Sequence, residues 1–466
     1  MAYGYWKKGF HEKEAAFHLF FRKKPFNGTF AIAAGLETAI DFLKNFRYQA
    51  DDLSYLETLK GVDDKPLFEP AFLEYLSHFR FTLDIDAVPE GTVVFPYEPL
   101  LRVTGPIIQA QLLESPLLNI INFQSLIATK AARICYAARG DHVVEFGMRR
   151  AQGIDGALSA ARGAFIGGCH STSNVLAGKM LDIPVKGTHA HSWIMAFDDE
   201  KASFDAWGEV MPGNLLFLVD TYESLRGTKR AIEIAQKLKA KKIGIMGVRL
   251  DSGDLAHLSI EIRKLLDQAG FTSAQIMASN ELDEYIISDL KHQGAKIDLW
   301  GVGTHLVTGK DQPALDGVYK LSAVRDNKKA PWRYKVKISE QLVKVTNPGI
   351  LQVRRYASDE GFAGDMIYDV PTSVPATPVA IDPLDPTQVK ELGEGCTFTD
   401  LLVPIMREGK FIYTSPTLKA IRENSISQQN ELRPAMRRFL YPQPYFMGLE
   451  RSLYERKLSL IQEVKR

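Results

Sequence analysis

Cysteine is scarce: the 466 residues hold three, Cys135, Cys169 and Cys396, far apart and never in a C-x-x-C pair. A disulfide framework and a cysteine-rich zinc site are therefore not expected, and a reducing compartment is. An excess of one charge is missing as well, with 57 Lys+Arg against 56 Asp+Glu. That balance supplies neither the basic field of a general nucleic-acid binder nor a polybasic membrane arm, so neither partner is expected. Met1 to Lys8 lacks the apolar stretch of a signal peptide. The most apolar window, roughly Pro116 to Ala138, is broken by Asn119, Asn122, Gln124, Lys130 and Arg133. It reads as a buried amphipathic helix, not a membrane span, and the default is a soluble cytoplasmic protein. There is no internal repeat, no low-complexity tract and no G-x-x-x-x-G-K-[ST], so any ATP is not held by a P-loop.

What is present is ordinary globular composition, 45% apolar and 24% charged, in a length that suits about two to four domains. Ala39/Ile40, Leu43 and Phe46 fall at helical spacing, predicting a helix that starts near Glu37. Gly91 to Thr104 alternates like paired strands. From about residue 141 to 310, short apolar runs recur, each closed by Gly and polar residues and most followed by a helical stretch. They are Val143 to Gly147, Ile183 to Gly187, Leu215 to Val219, Ile243 to Val248, Gln275 to Ala278 and Ile297 to Val302. Their starts lie 40, 32, 28, 32 and 22 residues apart. This is strand–helix spacing for a parallel sheet, and six units predict a closed or nearly closed barrel. A doubly wound open sheet is the alternative that spacing alone leaves open. Five prolines between Pro371 and Pro386 read as a connection to a C-terminal region ending in a charged helix near Glu450 to Arg466. The expected division is an N-terminal α/β domain over residues 1–125, an α/β barrel over 126–345 and a C-terminal domain over 346–466.

In barrel enzymes the reacting groups sit where strands end and loops begin. The six expected strand ends deliver, in order, Arg149-Arg150, Gly187-Thr188-His189-Ala190-His191-Ser192, Asp220-Thr221-Tyr222-Glu223, Arg249-Leu250-Asp251-Ser252-Gly253-Asp254, Ser279-Asn280-Glu281 and Gly301-Val302-Gly303-Thr304-His305. Singly, each has a plain structural reading. Adjacent arginines are usually a solvated face, Asp251 and Asp254 suit helix caps, and either histidine can be a bonded core residue. Jointly, six successive strand ends all bearing such groups point to a site. Asp220, Asp251 and Asp254 can hold ribose hydroxyls or a hydrated Mg²⁺. Gly303-Thr304 offers N–H groups and a hydroxyl to a phosphate, and Arg149, Arg150 and Arg249 supply planar forks for phosphate or carboxylate. The set suits a phosphorylated sugar and an acidic partner.

These segments resemble the motif set of the nicotinate phosphoribosyltransferase family. The resemblance rests on Gly187 to Ser192, Val248 to Asp254 and Gly301 to Thr304. Phe20 to Lys23, Ala33 to Leu36, Pro89 to Gly91 and Glu145 to Gly153 support it, and it runs from about Tyr3 to the Arg438 to Pro442 stretch. It implies an irregular (β/α) barrel of the type II phosphoribosyltransferase kind, with an N-terminal α/β domain and a small C-terminal region. It also implies a homodimer. The implied reaction joins nicotinate to 5-phosphoribosyl 1-pyrophosphate, giving nicotinate mononucleotide and pyrophosphate, with ATP as co-substrate and Mg²⁺ as the metal. His191 would carry the phosphoryl group transiently, and Asp220 and Asp251 would hold ribose or metal. Arg149 and Arg150 would meet the nicotinate carboxylate and phosphates, with Arg249, Gly303 and Thr304 near the 5′-phosphate. Gly187, Thr188, Ser192, Asp254 and Asn280 are further expected substrate contacts, and no resident protein-only metal cage is expected.

Family members usually carry a Thr-Asp-x-Tyr segment just upstream of the Met-Ala-Tyr-Gly-Tyr-Trp stretch, whose tyrosine packs on the pyridine ring. The sequence here begins at Met1, so weaker nicotinate binding is expected. Three alternatives bear on the reading. Nicotinamide phosphoribosyltransferases have an aspartate where this chain has His189. Quinolinate phosphoribosyltransferases are shorter and lack the ATP-linked histidine motif. A non-catalytic ligand-binding relative is opposed by the intact Asp and His motifs.

Overall fold

The computed structural model describes residues 1–465, so the final Arg466 of the expected C-terminal helix lies outside them. The described residues form two compact units, one from Leu126–Pro313 and one that combines Met1–Ser125 with the chain from Ala314 onward.

In the first of these the recurrent apolar runs are parallel strands. Their spatial order is Ser171–Thr172, His142–Glu145, Leu299–Val302, Gln275–Ala278, Gly247–Leu250 and Leu216–Leu218. The predicted second strand, Ile183 to Gly187, is reduced to a single parallel bridge from Val185 to Thr172. A two-residue strand at Ser171–Thr172 intervenes, and Pro184 has no N–H to extend the bridge into a ladder. The two ends of this sheet meet through side chains rather than backbone. Asn214 Nδ2 donates to Gly187 O at 3.2 Å, the Leu218 N–H donates to His189 Nε2 at 3.3 Å, and Arg249 Nη1 donates to Thr188 Oγ1 at 2.9 Å. The open doubly wound alternative is thereby excluded, and the barrel is irregular at this one seam.

The helices that follow the strands are set by their termini. Ser224–Ala240, Leu255–Gln268 and Glu284–His292 begin at Glu223, Asp254 and Asp283, whose carboxylates accept N–H groups of the first turn. Leu255–Gln268 and Glu284–His292 end just before Gly270 and Gly294, whose φ of 79° and 81° suit a helix stop. The apolar window becomes a 25-residue helix, Glu114–Ala138. Its interior cations explain themselves: Lys130 and Arg133 both reach the carboxylate of Glu284, at 2.7 and 2.8 Å, with all three buried. Removing one partner of such a group costs about 3–5 kcal/mol.

In the other unit, N- and C-terminal segments share one antiparallel sheet. Glu14–Phe21 lies between Gly317–Arg325 and Leu101–Pro106, and Asp84–Ala87 pairs with Val403–Arg407. Residues 314–345, expected with the barrel, therefore belong to this unit through the strand Gly317–Arg325. A second sheet of six strands contains Leu351–Ser358 and Gly361–Asp369. The proline-rich stretch, expected as a plain connection, contributes Val379–Ile381 to it. The helix predicted near Glu37 spans Leu36–Asn45. The two strands expected between Gly91 and Thr104 form but do not pair with each other: Val93–Val94 pairs with Ala31–Ile32, and Leu101–Pro106 with Glu14–Phe21 and Asp84–Ala87. Among the described residues no helix is long and apolar enough to cross a membrane.

Candidate active site

A polar cavity of about 380 Å³ opens at the C-terminal ends of the parallel strands. Of the expected site residues it is lined by Arg149, Arg150, Gly187, Thr188, His191, Arg249, Asp251, Asn280, Gly303 and Thr304. They are separated by up to 155 positions in sequence, and strand order alone brings them together.

Arg249 is its organising cation, with a side chain only 15% exposed. It donates to Thr188 Oγ1, to Ser279 Oγ at 2.9 Å and to Asp251 Oδ1 at 2.9 Å, and it lies over the Phe146 ring, 5.5 Å from the centroid. Burial alone would raise the Asp251 carboxyl, but the Ser279 hydroxyl and the Arg249 guanidinium outweigh it and hold the carboxyl below the usual range. Asp251 is thus an anion throughout the neutral range. Its other oxygen stands 3.7 Å from His191 Nε2, while His191 Nδ1 is bonded to Thr221 Oγ1 at 3.1 Å. The imidazole is therefore oriented by the bond at Nδ1, with the Asp251 carboxylate facing Nε2, yet is 41% exposed.

Asp220 lies behind this group. Its Oδ2 accepts from the Asp251 N–H at 2.8 Å and from Ser252 Oγ at 2.6 Å. Its Oδ1 is buried with no hydrogen-bond partner, an arrangement that leaves one carboxylate oxygen available to a cation or hydroxyl. Among the described residues no group of three His, Cys, Asp or Glu forms a ready-made metal site.

Arg149 and Arg150 sit on the short turn Met148–Arg150, exposed to solvent. Two features anchor it. Buried Glu145 accepts from the Gly147 N–H and the Thr172 hydroxyl. Gly147 itself packs so closely that a Cβ there would lie 2.2 Å from Val307 Cγ1, so no larger residue fits. Asn280, at the end of its strand, holds φ of 100°, backbone strain of the kind that clusters at functional sites. The helix after Gly303 is only four residues, Thr304–Val307, so N–H groups and the Thr304 hydroxyl, rather than a long helix dipole, are what this loop presents.

Besides Asp220, two expected contacts do not line the cavity. Asp254 is a helix cap, accepting from the His257 N–H at 3.0 Å, and Ser192 is exposed on the short helix His191–Met195. Sequence reasoning placed Thr221, Ser279 and Glu281 at strand ends without giving them a role, and named Phe146 only within a motif. Phe146 was embedded in the Glu145 to Arg150 motif, but an apolar residue at a strand end reads as core.

His189 and His191 separate cleanly. His189 is buried, accepts from the Leu218 N–H and meets Trp207 edge-on at 5.0 Å. Burial, aided by the nearby Arg249 and His191, lowers it to about 4, against a backbone bond at Ala190 that favours the charged form. The fold therefore binds the neutral ring. Its contribution is complete above about pH 6.5, the ordinary histidine value, and is lost as pH falls towards 4. Between those values His189 is expected to add about 1.4 kcal/mol per pH unit to the acid slope of unfolding free energy. Urea titrations from pH 7 to 4 check this: His189→Phe should be less stable at pH 7 and show a shallower slope. An unchanged slope would assign the acid sensitivity to other buried groups such as His18, which burial also lowers.

Comparison with known proteins agrees along the whole chain. Residues 1–122 match the nicotinate phosphoribosyltransferase (NAPRTase) N-terminal domain, 142–347 the nicotinate phosphoribosyltransferase (NAPRTase) family and 352–457 the corresponding C-terminal domain. A nicotinate phosphoribosyltransferase of Bacillus subtilis is 42% identical, covering 100% of this chain and 94% of its own length. One of Homo sapiens is 33% identical over 97% and 93%. The crystal structure of human nicotinic acid phosphoribosyltransferase superposes with a TM-score of 0.85 at 31% identity, over 99% of this chain and 98% of that one. A nicotinate-nucleotide pyrophosphorylase from Pyrococcus furiosus, at 23% identity and a TM-score of 0.67, shares the fold. With strand order, cavity and full-length similarity in agreement, the chain belongs to the nicotinate phosphoribosyltransferase family.

Proposed function

We propose that this chain joins nicotinate to 5-phosphoribosyl 1-pyrophosphate, releasing pyrophosphate and nicotinate mononucleotide for NAD salvage, with ATP hydrolysis coupled through His191. The observation that carries the reading is one cavity lined by three arginines, Asp251, His191 and the Thr188 and Thr304 hydroxyls. The pyridine nitrogen forms a bond to ribose C1 as the C1–oxygen bond to pyrophosphate breaks. Positive charge then develops on the ribose and negative charge on the leaving group. Asp251 and Asp220 tolerate the former, while Arg149, Arg150 and Arg249 neutralise the latter. The 5′-phosphate fits Arg249, Gly303 and Thr304.

Mg²⁺ suits the donor set: Asp220 Oδ1, unpartnered, and the Asp251 carboxylate supply the one or two protein oxygens that this ion takes beside substrate phosphates. When bound, it neutralises pyrophosphate charge. In the ATP step an imidazole nitrogen of His191 takes the γ-phosphoryl group as its bond to the ADP oxygen breaks, and water later returns free imidazole and phosphate. Thr221 and Asp251 hold the ring for both transfers.

A homodimer is part of this reading. Met148, Ile154, Val175, Met180 and Met195 are 45–70% exposed within the barrel unit, and Met148 and Ile154 flank the arginine turn. A second copy of the chain would cover such apolar surface. Three free, scattered cysteines accord with a cytoplasmic location.

The reading is tested by an assay with nicotinate, phosphoribosyl pyrophosphate, Mg²⁺ and ATP that follows nicotinate mononucleotide, with nicotinamide in parallel. Absence of product from nicotinate would overturn it. One charge-assisted bond to the nicotinate carboxylate is worth about 1.5–3 kcal/mol. Arg149→Ala or Arg150→Ala should therefore cut nicotinate kcat/KM by about ten- to a hundredfold and narrow the gap to nicotinamide. Full preference for the acid in both variants would remove these arginines from carboxylate recognition.

A further inference from the structure

A second cavity, of about 390 Å³, lies inside the ring of strands on the side of their N-terminal ends. Its walls include His142, Leu216, Gln275 and Leu299, each the first residue of its strand. Barrel interiors are normally filled by layers of inward side chains. Two inward positions here are glycine. Gly247 stands in register between Leu216 and Gln275, and Gly301 stands opposite Val144. Neither brings a side chain to the interior, and both mark close packing in the wall: a Cβ at Gly247 would lie 1.8 Å from Gln275 O.

The partition between this chamber and the catalytic cavity is thin. Phe146, Gly187 and Thr188 line both. Met277 lines the chamber and lies against Gly301, where a Cβ would come within 2.8 Å of Met277 Cε and 2.9 Å of the Phe146 ring. The deep wall is apolar, made by Val144, Leu216, Met277 and Phe146. Polar groups gather at the outer rim, where Lys186 and His142 are exposed and Lys186 forms no ion pair among the described residues. A volume in the ordinary small-ligand range, an apolar floor and a cationic rim define an amphipathic anion as the fitting occupant.

We propose that this chamber is a second ligand site, taking an arylalkyl carboxylate whose ring lies against Met277 and Phe146 and whose carboxylate meets Lys186. Occupancy is transmitted to the catalytic cavity because Phe146, under Arg249, belongs to both. This last link rests on the nicotinate reading above; binding in the chamber does not.

The test uses 4-phenylbutyrate with the full chain, by calorimetry, with and without saturating nicotinate. One molecule per chain should bind, binding should persist with nicotinate present, and the apparent KM for nicotinate should shift about fivefold or more. Met246→Trp and, separately, Leu299→Trp would fill the chamber from its walls. Each should abolish probe binding and the KM shift while leaving turnover without probe unchanged. No binding at millimolar probe, complete displacement by nicotinate, or unchanged binding in both filled variants would overturn the proposal. The displacement measurement needs no variant, so misfolding of a tryptophan variant does not blunt the test. Nicotinate titrated alone checks the catalytic reading separately. Probe binding without nicotinate binding or turnover would sink that reading and leave the chamber standing.

Discussion

His191→Ala is expected to abolish both the phosphoryl label and the ATP stimulation. Wild-type protein incubated with γ-labelled ATP should acquire a label that is acid-labile and base-stable, and the variant should acquire none. Slow product formation without ATP can survive, because Arg149, Arg150, Arg249 and Asp251 still line the cavity. His189 offers no substitute: its Nε2 is engaged by the Leu218 N–H, and the buried ring does not line the cavity. Label that persists in the alanine variant would therefore remove His191 from the phosphoryl relay altogether. Folding should be little affected, since the side chain is 41% exposed and its contacts are with Thr221 and Asp251. A melting temperature close to wild type is the control.

Asp251→Asn is expected to lower kcat by about 10²–10³-fold, the usual cost of removing one preorganised electrostatic group from a reacting centre. The substitution keeps size and much of the hydrogen bonding but removes the charge that faces His191 Nε2 at 3.7 Å and pairs with Arg249 at 2.9 Å. The KM for nicotinate should change less than kcat, because Asp251 is asked to stabilise charge that develops at the ribose and to orient the imidazole, not to bind the pyridine acid. Labelling from ATP should slow in parallel. The wild-type carboxyl is held below its ordinary range, so the native fold gains stability from its ionised form above the usual carboxylate range and loses it as pH falls below. The asparagine variant should lack that acid-side loss. A kcat within tenfold of wild type would show that Asp251 acts only as a structural tether for Arg249.

The six apolar runs and the polar clusters at their ends were legible in the sequence because they obey local rules. Aliphatic stretches bounded by glycine make strands, Asp254 and Asp283 cap helices, and Gly270 and Gly294 end them. Ten of the expected site residues line one cavity for the same reason: a parallel sheet sends every strand end to one face. The motif resemblance singled out His191 over His189, and of the two His191 is the one that lines the cavity.

Tertiary structure decided the rest, wherever the outcome depends on partners distant in sequence. Ile183 to Gly187 looks like a strand, yet its ladder shrinks to one bridge, and the barrel is closed by Asn214, His189 and Arg249 side chains instead. Residues 314–345 follow the barrel in sequence but join the other unit, because Gly317–Arg325 finds its hydrogen-bond partner in Glu14–Phe21 about 300 positions earlier. Asp254 and Asp251 occupy the same motif, and only packing made one a cap and the other the neighbour of Arg249 and His191. The hollow beneath Phe146 is of the same kind: Gly247 is an unremarked glycine and Gly301 one member of a motif until register sets both on the inner wall. Local sequence determines which backbone conformation each segment prefers, whereas pairing, burial and empty space are properties of segments brought together.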